Sequence, residues 1–181
     1  EQILFCFTEK NKNMEVYLNL GMITMNDTRN KIVFWDIDGT LASYRFNNHV
    51  GDPKGSENGY SLDEVEDGIF LKRNPSRFMQ KVLNECQAKQ NIIMGHCFNE
   101  KERKDKFIWL EKHYPNMSDI ILTFQNKPKY LTILEYCKEK NIDLKNIIYV
   151  DDVLSFLKEA ERNGICSYHI SSFLDWNYQF I

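Results

Sequence analysis

The chain has 181 residues, of which 43% are hydrophobic and 27% are charged, and its formal net charge is −3. This composition is typical of a soluble chain with one domain of ordinary size, or one domain with a small insertion. No long basic run occurs, so sequence-independent nucleic-acid binding is not indicated, although a local basic patch stays open. No apolar run reaches the roughly 18 residues of a membrane span. The apolar stretch near the N-terminus lacks the basic flank and cleavage site of a signal peptide.

The five cysteines, Cys6, Cys86, Cys97, Cys137 and Cys166, are odd in number and form no CxxC pair. We therefore expect reduced thiols, most of them in the core, and a cytoplasmic protein. The histidines are scattered along the chain, so a zinc site with clustered ligands is not indicated.

Short apolar segments alternate with helical patterns from residue 31 onward. Residues 1–30 show no clear pattern and are treated as an N-terminal extension, whereas 31–181 form the domain, with a polar insertion at about 43–68. Strands are predicted at 31–35, 91–94, 120–122, 146–150 and 165–170. Helices are predicted from Asn74-Pro75-Ser76 onward and at 99–113, 128–140 and 153–163.

This alternation predicts an α/β fold of three layers. Right-handed βαβ units give a mostly parallel central sheet with helices on both faces. Within the helix at 99–113, we expect Phe107, Ile108 and Leu110 to form the apolar side. Ligands bind such sheets beyond the carboxyl ends of the strands, and here the first and fourth strands both run directly into aspartates.

The segment Asp36-Ile37-Asp38-Gly39-Thr40 directly follows the first predicted strand. In an extended chain, two carboxylates at this spacing point the same way. Gly39 permits a sharp turn and the close approach of a ligand, and Thr40 offers a hydroxyl. An ordinary Asp-Gly turn is the alternative, but the apolar strand before the segment favours a functional site.

Asp151 and Asp152 follow the fourth predicted strand. Two adjacent acids at the mouth of a sheet repel one another and lose hydration, and a divalent cation relieves both costs. Carboxylates, carbonyls and water are the ligands that Mg²⁺ prefers, with phosphate completing the shell. The alternative is that Asp152 only caps the following helix.

Lys127 lies between the third predicted strand and its following helix. A cation at this place could neutralise both a phosphate and the Asp36 carboxylate. Lys129 is the competing residue for this role, and a solvated surface lysine is the alternative reading.

Together these motifs resemble the haloacid dehalogenase (HAD) superfamily, whose most specific signature is the DxDGT stretch at 36–40, and the resemblance runs in order from about 31 to 170. It implies a Rossmann-like fold with a small cap and a Mg²⁺-dependent phosphatase that forms an aspartyl-phosphate. Carried over, Asp36 is the nucleophile, and Asp38 acts first as general acid and then as base. Mg²⁺ would bind Asp36, the Asp38 backbone carbonyl and Asp152, with Asp151 as a further ligand. Gly39 and Thr40 would lie at the phosphate.

One position departs from the family pattern. The family places a serine or threonine at the end of the second strand, where it donates a hydrogen bond to the phosphate, and Gly95 occupies that place here. A backbone N–H, His96 or Cys97 could substitute, although His96 also fits a loop histidine without a catalytic duty. Losing one charge-assisted hydrogen bond costs about 1.5–3 kcal/mol, so weak activity or an unusual ligand is expected.

The short insertion predicts an open site that admits a small phosphorylated substrate or a larger one. The segment 107–115 resembles a helix of deoxyribonucleotidase-like members, and the tail from Asp151 to Tyr168 resembles the phosphatase domain of polynucleotide kinase. A nucleotide is therefore among the candidate substrates. Two alternatives stay open: a non-catalytic binding or regulatory protein of HAD fold, supported mainly by Gly95, and a phosphotransferase.

Overall fold

A single parallel sheet forms the centre of the computed structural model, which describes residue 23 and residues 25–43 and 62–174. Its strands in these ranges are β1 (Ile32–Trp35), β2 (Gln90–Cys97), β3 (Asp119–Phe124), β4 (Ile147–Asp151) and β5 (Cys166–His169). Their order across the sheet is β3-β2-β1-β4-β5, and every neighbouring pair is parallel. The predicted parallel α/β architecture is confirmed.

Helices cover both faces of this sheet. They are α1 (Met25–Thr28), α2 (Leu62–Glu66), α3 (Arg77–Glu85), α4 (Glu100–His113), α5 (Lys129–Lys140) and α6 (Leu154–Arg162). The buried side chains of α3 and α4 share one core cluster with Val33 and Trp35 of β1. Those of α5 and α6 share a second cluster with Ile32 and Phe34. Strand β1 is therefore buried from both sides, which explains its continuous apolar sequence.

The helix boundaries follow from local capping chemistry. The Ser76 hydroxyl accepts a hydrogen bond from the Met79 N–H at 3.3 Å, which starts α3 as predicted. The Asn99 side chain accepts one from the Glu102 N–H at 2.9 Å and starts α4. After α6, Gly164 has a φ of 78°, a left-handed conformation that favours glycine at a helix end.

Two elements differ from their predictions. Strand β2 continues to Cys97, because His96 and Cys97 still pair with the edge strand β3, so Gly95 and His96 lie in a strand and not in a loop. The predicted apolar side of α4 is confirmed for Leu110, which is buried, and wrong for Phe107 and Ile108, which are 44% and 54% exposed.

The side of α4 that faces the protein carries charges. Trp109 and Leu110 are buried there, and so are Glu102, Asp105 and Lys106. Charged residues thus occupy positions that an apolar stripe would normally take, because this helix borders the carboxyl ends of the strands.

Much of the predicted N-terminal extension and of the predicted insertion lies outside the described part of the chain. Residues 1–22 and most of the insertion, 44–61, lie outside it, as does Cys6. Ile23, counted within the N-terminal extension, is fully buried in the core, and its N–H donates to the Ser172 carbonyl at 3.2 Å. The end of the insertion is helical, as α2.

The cysteines Cys86, Cys97 and Cys137 are free thiols, of which Cys97 and Cys137 are buried. Within the ranges covered by the structure, no helix is both long enough and apolar enough to cross a membrane.

Candidate active site

The order of the strands creates a crevice at the carboxyl ends of β1 and β4. After β1 the chain passes through α3, on one face of the sheet, to reach β2. After β4 it passes through α6, on the opposite face, to reach β5. Such a switch point is where open α/β sheets bind ligands. Trp35 pairs with Val150, and the Asp36 N–H donates to the Val150 carbonyl at 2.9 Å. Asp36 is therefore fixed beside Asp151, the last residue of β4.

Three carboxylates meet in this crevice. One oxygen each of Asp36, Asp151 and Asp152 lies within 4.8 Å of the others. Asp36 is 2% exposed and Asp151 is fully buried. Burial, and then the charge of Asp151, raise the pKa of Asp36 well above its ordinary value, and the same two causes raise the pKa of Asp152 to about 6. The ionised forms of these acids are therefore costly without a further cation.

Lys129 is the ammonium group of this crevice. Its Nζ lies 2.5 Å from Asp36 Oδ1 and 2.7 Å from Asp151 Oδ2, and it lies over the Phe156 ring. Burial opposes its charge, but Asp36 and Asp151 outweigh burial and raise the pKa of Lys129. Lys129 is therefore charged. If Asp36, Asp151 and Asp152 were all ionised, this group of four side chains would still carry two net negative charges.

The prediction that Lys127 lies at the Asp36 carboxylate is wrong. Lys127 is partly exposed, and its ammonium group pairs with Glu135 on the surface. Only its backbone carbonyl faces inward, where it accepts a hydrogen bond from His96 Nε2 at 2.8 Å. The reason is the position at which α5 begins. Lys129 is the first residue of this helix, and its side chain, not that of Lys127, points into the crevice.

Asp151 is held from two further sides. The Tyr149 hydroxyl donates a hydrogen bond to Asp151 Oδ2. The Val153 N–H donates to Asp151 Oδ1 at 2.8 Å, so Asp151 and not Asp152 supports the start of α6. The buried Asp152 Oδ1 has no hydrogen-bond partner in the part of the chain that is described.

This donor set fits Mg²⁺. The three acids offer carboxylate oxygens, the ligands that a hard divalent cation prefers. A divalent cation would give the unpartnered Asp152 Oδ1 a partner. It would also balance the two negative charges by which three ionised carboxylates exceed Lys129. The Asp38 carboxylate does not belong to this group of three.

The Asp38 carboxylate contacts two cations of its own. Its Oδ1 pairs with Arg73, and its Oδ2 lies 2.6 Å from Lys106 Nζ. Burial would raise the pKa of Asp38, but Lys106 and Arg73 outweigh burial and lower it. Asp38 is therefore held as a carboxylate. Arg73 also donates to the carbonyls of Ala42 and Ser43, at 3.0 and 3.2 Å.

The loop after β1 is a turn and not an extended segment. Gly39 has a φ of 83°, its N–H donates to the Ala42 carbonyl at 3.0 Å, and the Ala42 N–H donates back to Ile37 at 2.7 Å. Asp36 and Asp38 pair with different cations, Lys129 and Lys106 respectively, and the charge of Asp38 is close enough to contribute to the raised pKa of Asp36. Thr40 is buried in this turn, and its hydroxyl has no partner among the residues that the structure covers.

Gly95 packs against the same turn. A Cβ atom placed on Gly95 would lie 2.4 Å from Ile37 Cδ1 and 3.0 Å from its Cγ1. Any side chain at this position would thus point at Ile37. The side chain that the family places at the end of the second strand would fit here only if the Ile37 side chain shifted.

His96 makes contacts that hold the loop before α5. Its Nε2–H donates to the Lys127 carbonyl, and its ring packs edge-to-face on Phe156. Burial, and then the charge of Lys129, lower the pKa of His96, which favours the neutral ring. Its side chain therefore supports the loop that leads to Lys129.

Three residues near the aspartates were missed by the sequence reasoning: Arg73, Lys106 and Tyr149. Arg73 and Tyr149 carried no distinguishing signal. Lys106 did carry one, because Glu102 precedes it by one helical turn and Trp109 follows on the same side of α4.

Solved structures show the same fold. The chain resembles the haloacid dehalogenase-like hydrolase SP0104 from Streptococcus pneumoniae, with a TM-score of 0.54 and 12% identity over 82% of this chain and 91% of that one. It also resembles the HAD family enzyme bt-2542 from Bacteroides thetaiotaomicron in complex with magnesium and inorganic phosphate. The TM-score there is 0.53, with 16% identity over 84% of this chain and 100% of that one.

An alanine variant of bt-2542, also with magnesium and phosphate, superposes with a TM-score of 0.55 at 13% identity, over 84% of this chain and 99% of that one. No protein-family model and no curated protein matches the sequence. The chain therefore has the HAD-like fold, and the resemblance deduced from its motifs is confirmed at the level of the fold.

Proposed function

We propose that this chain is a Mg²⁺-dependent phosphatase that hydrolyses phosphomonoesters through an aspartyl-phosphate on Asp36. The observation that carries the proposal is the placement of the Asp36 carboxylate. It lies buried at the switch point of the sheet, between Lys129 and two further acids. Magnesium and phosphate in the similarly folded bt-2542 support this choice of ligands.

Asp36, Asp151 and Asp152 would hold the metal ion, with the Asp38 carbonyl as a further proposed ligand. Bound there, Mg²⁺ supplies positive charge that offsets the repulsion between a phosphate dianion and these carboxylates. Lys129 contacts both Asp36 and Asp151 and contributes the fixed positive charge of the protein itself. The turn at Gly39 and Thr40 would lie beside the phosphate.

The chemistry has two steps. First, an Asp36 oxygen bonds to phosphorus while the bond from phosphorus to the ester oxygen breaks, and Asp38 protonates the departing oxygen. Second, water attacks phosphorus, Asp38 accepts a proton from that water, and the bond between Asp36 and phosphorus breaks to release phosphate. The first step consumes a proton on Asp38 and the second step returns one from water. The contacts of Asp38 with Arg73 and Lys106 favour the ionised carboxylate that the second step needs and disfavour the protonated acid that the first step needs.

The substrate is proposed to be a small phosphomonoester, with nucleotides as the first class to test. The grounds are the two sequence resemblances to enzymes that act on nucleotide or polynucleotide phosphates. The mildly acidic charge balance gives no independent support for a nucleic acid.

The test is phosphate release from p-nitrophenyl phosphate and from a panel of nucleotides, with and without Mg²⁺. Asp36→Asn should abolish turnover, because an amide cannot form the aspartyl-phosphate. Asp119→Asn is the matched control, since Asp119 is an exposed acid at the start of β3. Turnover retained by Asp36→Asn would disprove the mechanism. Mg²⁺ binding without turnover of any substrate would favour the non-catalytic alternative, with Gly95 as its reason.

A further inference from the structure

Lys106 is a fully buried ammonium group that the two-step scheme does not use. Its Nζ lies 2.6 Å from Asp38 Oδ2, 2.5 Å from the His96 carbonyl oxygen and 3.0 Å from Glu102 Oε1. An ammonium group has three N–H donors, and here Asp38 and the His96 carbonyl accept hydrogen bonds while Glu102 forms an ion pair. The position of Nζ is therefore fixed by three different parts of the chain.

These three parts converge at the carboxyl ends of the strands. Asp38 belongs to the turn after β1, the His96 carbonyl to the end of β2, and Glu102 to the first turns of α4. Glu102 is itself anchored, because its Oε2 accepts a hydrogen bond from the Phe98 N–H at 2.6 Å. Lys106 thus connects the Asp38 carboxylate to the rigid frame of the sheet.

The charges of this cluster are balanced. Asp38 and Glu102 are two acids, Arg73 and Lys106 are two bases, and all four are at least 92% buried. A buried ion pair gives little net stability compared with apolar residues of the same volume. A cluster of this kind beside a site is better explained by what it holds in place.

We propose that Lys106 is a positioning residue that holds Asp38 in the orientation needed to accept a proton from the water that attacks the aspartyl-phosphate. This inference rests on the proposed function. Lys106 touches neither substrate nor metal in this scheme, and it acts only through Asp38. Arg73 holds the other oxygen of the same carboxylate.

The proposal predicts a specific kinetic signature with p-nitrophenyl phosphate. Its leaving group departs readily, so formation of the aspartyl-phosphate needs little help from Asp38. If only the hydrolysis of that intermediate slows, kcat and KM fall together, kcat/KM stays constant, and the intermediate accumulates. A general loss of structure would lower kcat/KM and the amount of intermediate.

The first variant is Lys106→Met, which keeps the length of the side chain and removes its charge. The second combines Lys106→Met with Glu102→Gln, so that one positive and one negative charge leave together and the cluster stays neutral. Lys101→Met is the matched control, because Lys101 makes an ion pair of the same spacing with Asp105 on the same helix. The intermediate is measured by acid quenching and borohydride reduction, which converts phosphorylated Asp36 into homoserine.

We expect kcat to fall about tenfold in both Lys106 variants, with kcat/KM changing less than about twofold and trapped homoserine rising. The control should match wild type in all three quantities. In an Asp38→Asn background, Lys106→Met should have little further effect on kcat. A parallel fall of kcat and kcat/KM without more homoserine would overturn the role of Lys106 and leave the proposed function intact. Absence of turnover and of homoserine in wild type would overturn both.

Discussion

Replacing Gly95 with serine would supply the hydroxyl that the family pattern expects, and the structure predicts that stability falls instead of activity rising. The new Cβ would lie 2.4 Å from Ile37 Cδ1. Carbon atoms pack best at about 3.5–4.0 Å, so the two groups must separate by about 1 Å. Overpacking of this kind costs about 1–3 kcal/mol.

The backbone of Ile37 has little freedom to move away, so its side chain must make the adjustment. Ile37 is fully buried in the core, and its carbonyl accepts the N–H groups of both Leu41 and Ala42. It also lies between Asp36 and Asp38, so a shift of the Ile37 backbone, unlike a rotation of its side chain, would move a carboxylate of the site. Gly95→Ser should therefore lower stability, and it should lower kcat only as far as that backbone shifts.

Two further variants isolate the steric cause. Gly95→Ala adds the same Cβ without a hydroxyl and should lose as much stability as Gly95→Ser. Ile37→Val removes Cδ1, at a cost of about 0.5–1.5 kcal/mol on its own. The double variant Gly95→Ser with Ile37→Val should lose less unfolding free energy than the two single variants lose in total. The difference, which is the coupling energy, should be about 0.5–3 kcal/mol.

Urea unfolding gives these free energies, and steady-state phosphate release gives kcat. The steric reasoning would be refuted if Gly95→Ser were as stable as wild type. It would also be refuted if Gly95→Ser were clearly more active than Gly95→Ala, because the hydroxyl would then reach the phosphate.

Three more outcomes follow from the crevice. Lys129→Met should abolish phosphate release, whereas Lys127→Met should leave kcat within about twofold, since an exposed ion pair contributes little; equal losses would contradict this assignment. Tyr149→Phe should weaken Mg²⁺ binding about tenfold in titration calorimetry, because the carboxylate of a metal ligand loses its orienting hydrogen bond; an unchanged Kd would contradict it. Burial and Asp151 raise the pKa of Asp152 to about 6, so Mg²⁺ affinity should rise with pH through that value and less steeply in Asp152→Asn. The folded state holds that proton at pH values where the unfolded chain has lost it. Hence Asp152 should make the metal-free protein lose stability in urea unfolding as pH rises from 3.8 to about 6, and an identical pH dependence in Asp152→Asn would refute this.

The central strands of the sheet could be predicted from sequence because they are buried on both faces. Segments such as 32–35 and 147–150 are continuous apolar runs, and that pattern needs no tertiary information. The aspartates at their ends then met at one edge because neighbouring parallel strands end together. Lys129 could not be separated from Lys127, because the choice depends on where α5 begins.

Helix α4 shows where such reasoning fails. Its apolar residues Phe107 and Ile108 face outward, and its charged residues Glu102 and Lys106 face inward. A periodicity argument assigns apolar side chains to the interior and has no means of knowing that buried carboxylates lie on the other side. The charged side of α4 is buried because Asp38 is there to pair with it.

The two aspartates of the DxDGT stretch have pKa values shifted in opposite directions. Burial and Asp151 raise the pKa of Asp36, whereas Lys106 and Arg73 outweigh burial and lower that of Asp38. Opposite shifts in two nearby acids are a sign of divided roles. The cluster around Asp38 is neutral within the protein, while the cluster around Asp36 has more acids than bases. Under the proposed mechanism, removing Mg²⁺ should therefore disable Asp36 as the nucleophile and leave the Asp38 carboxylate in place.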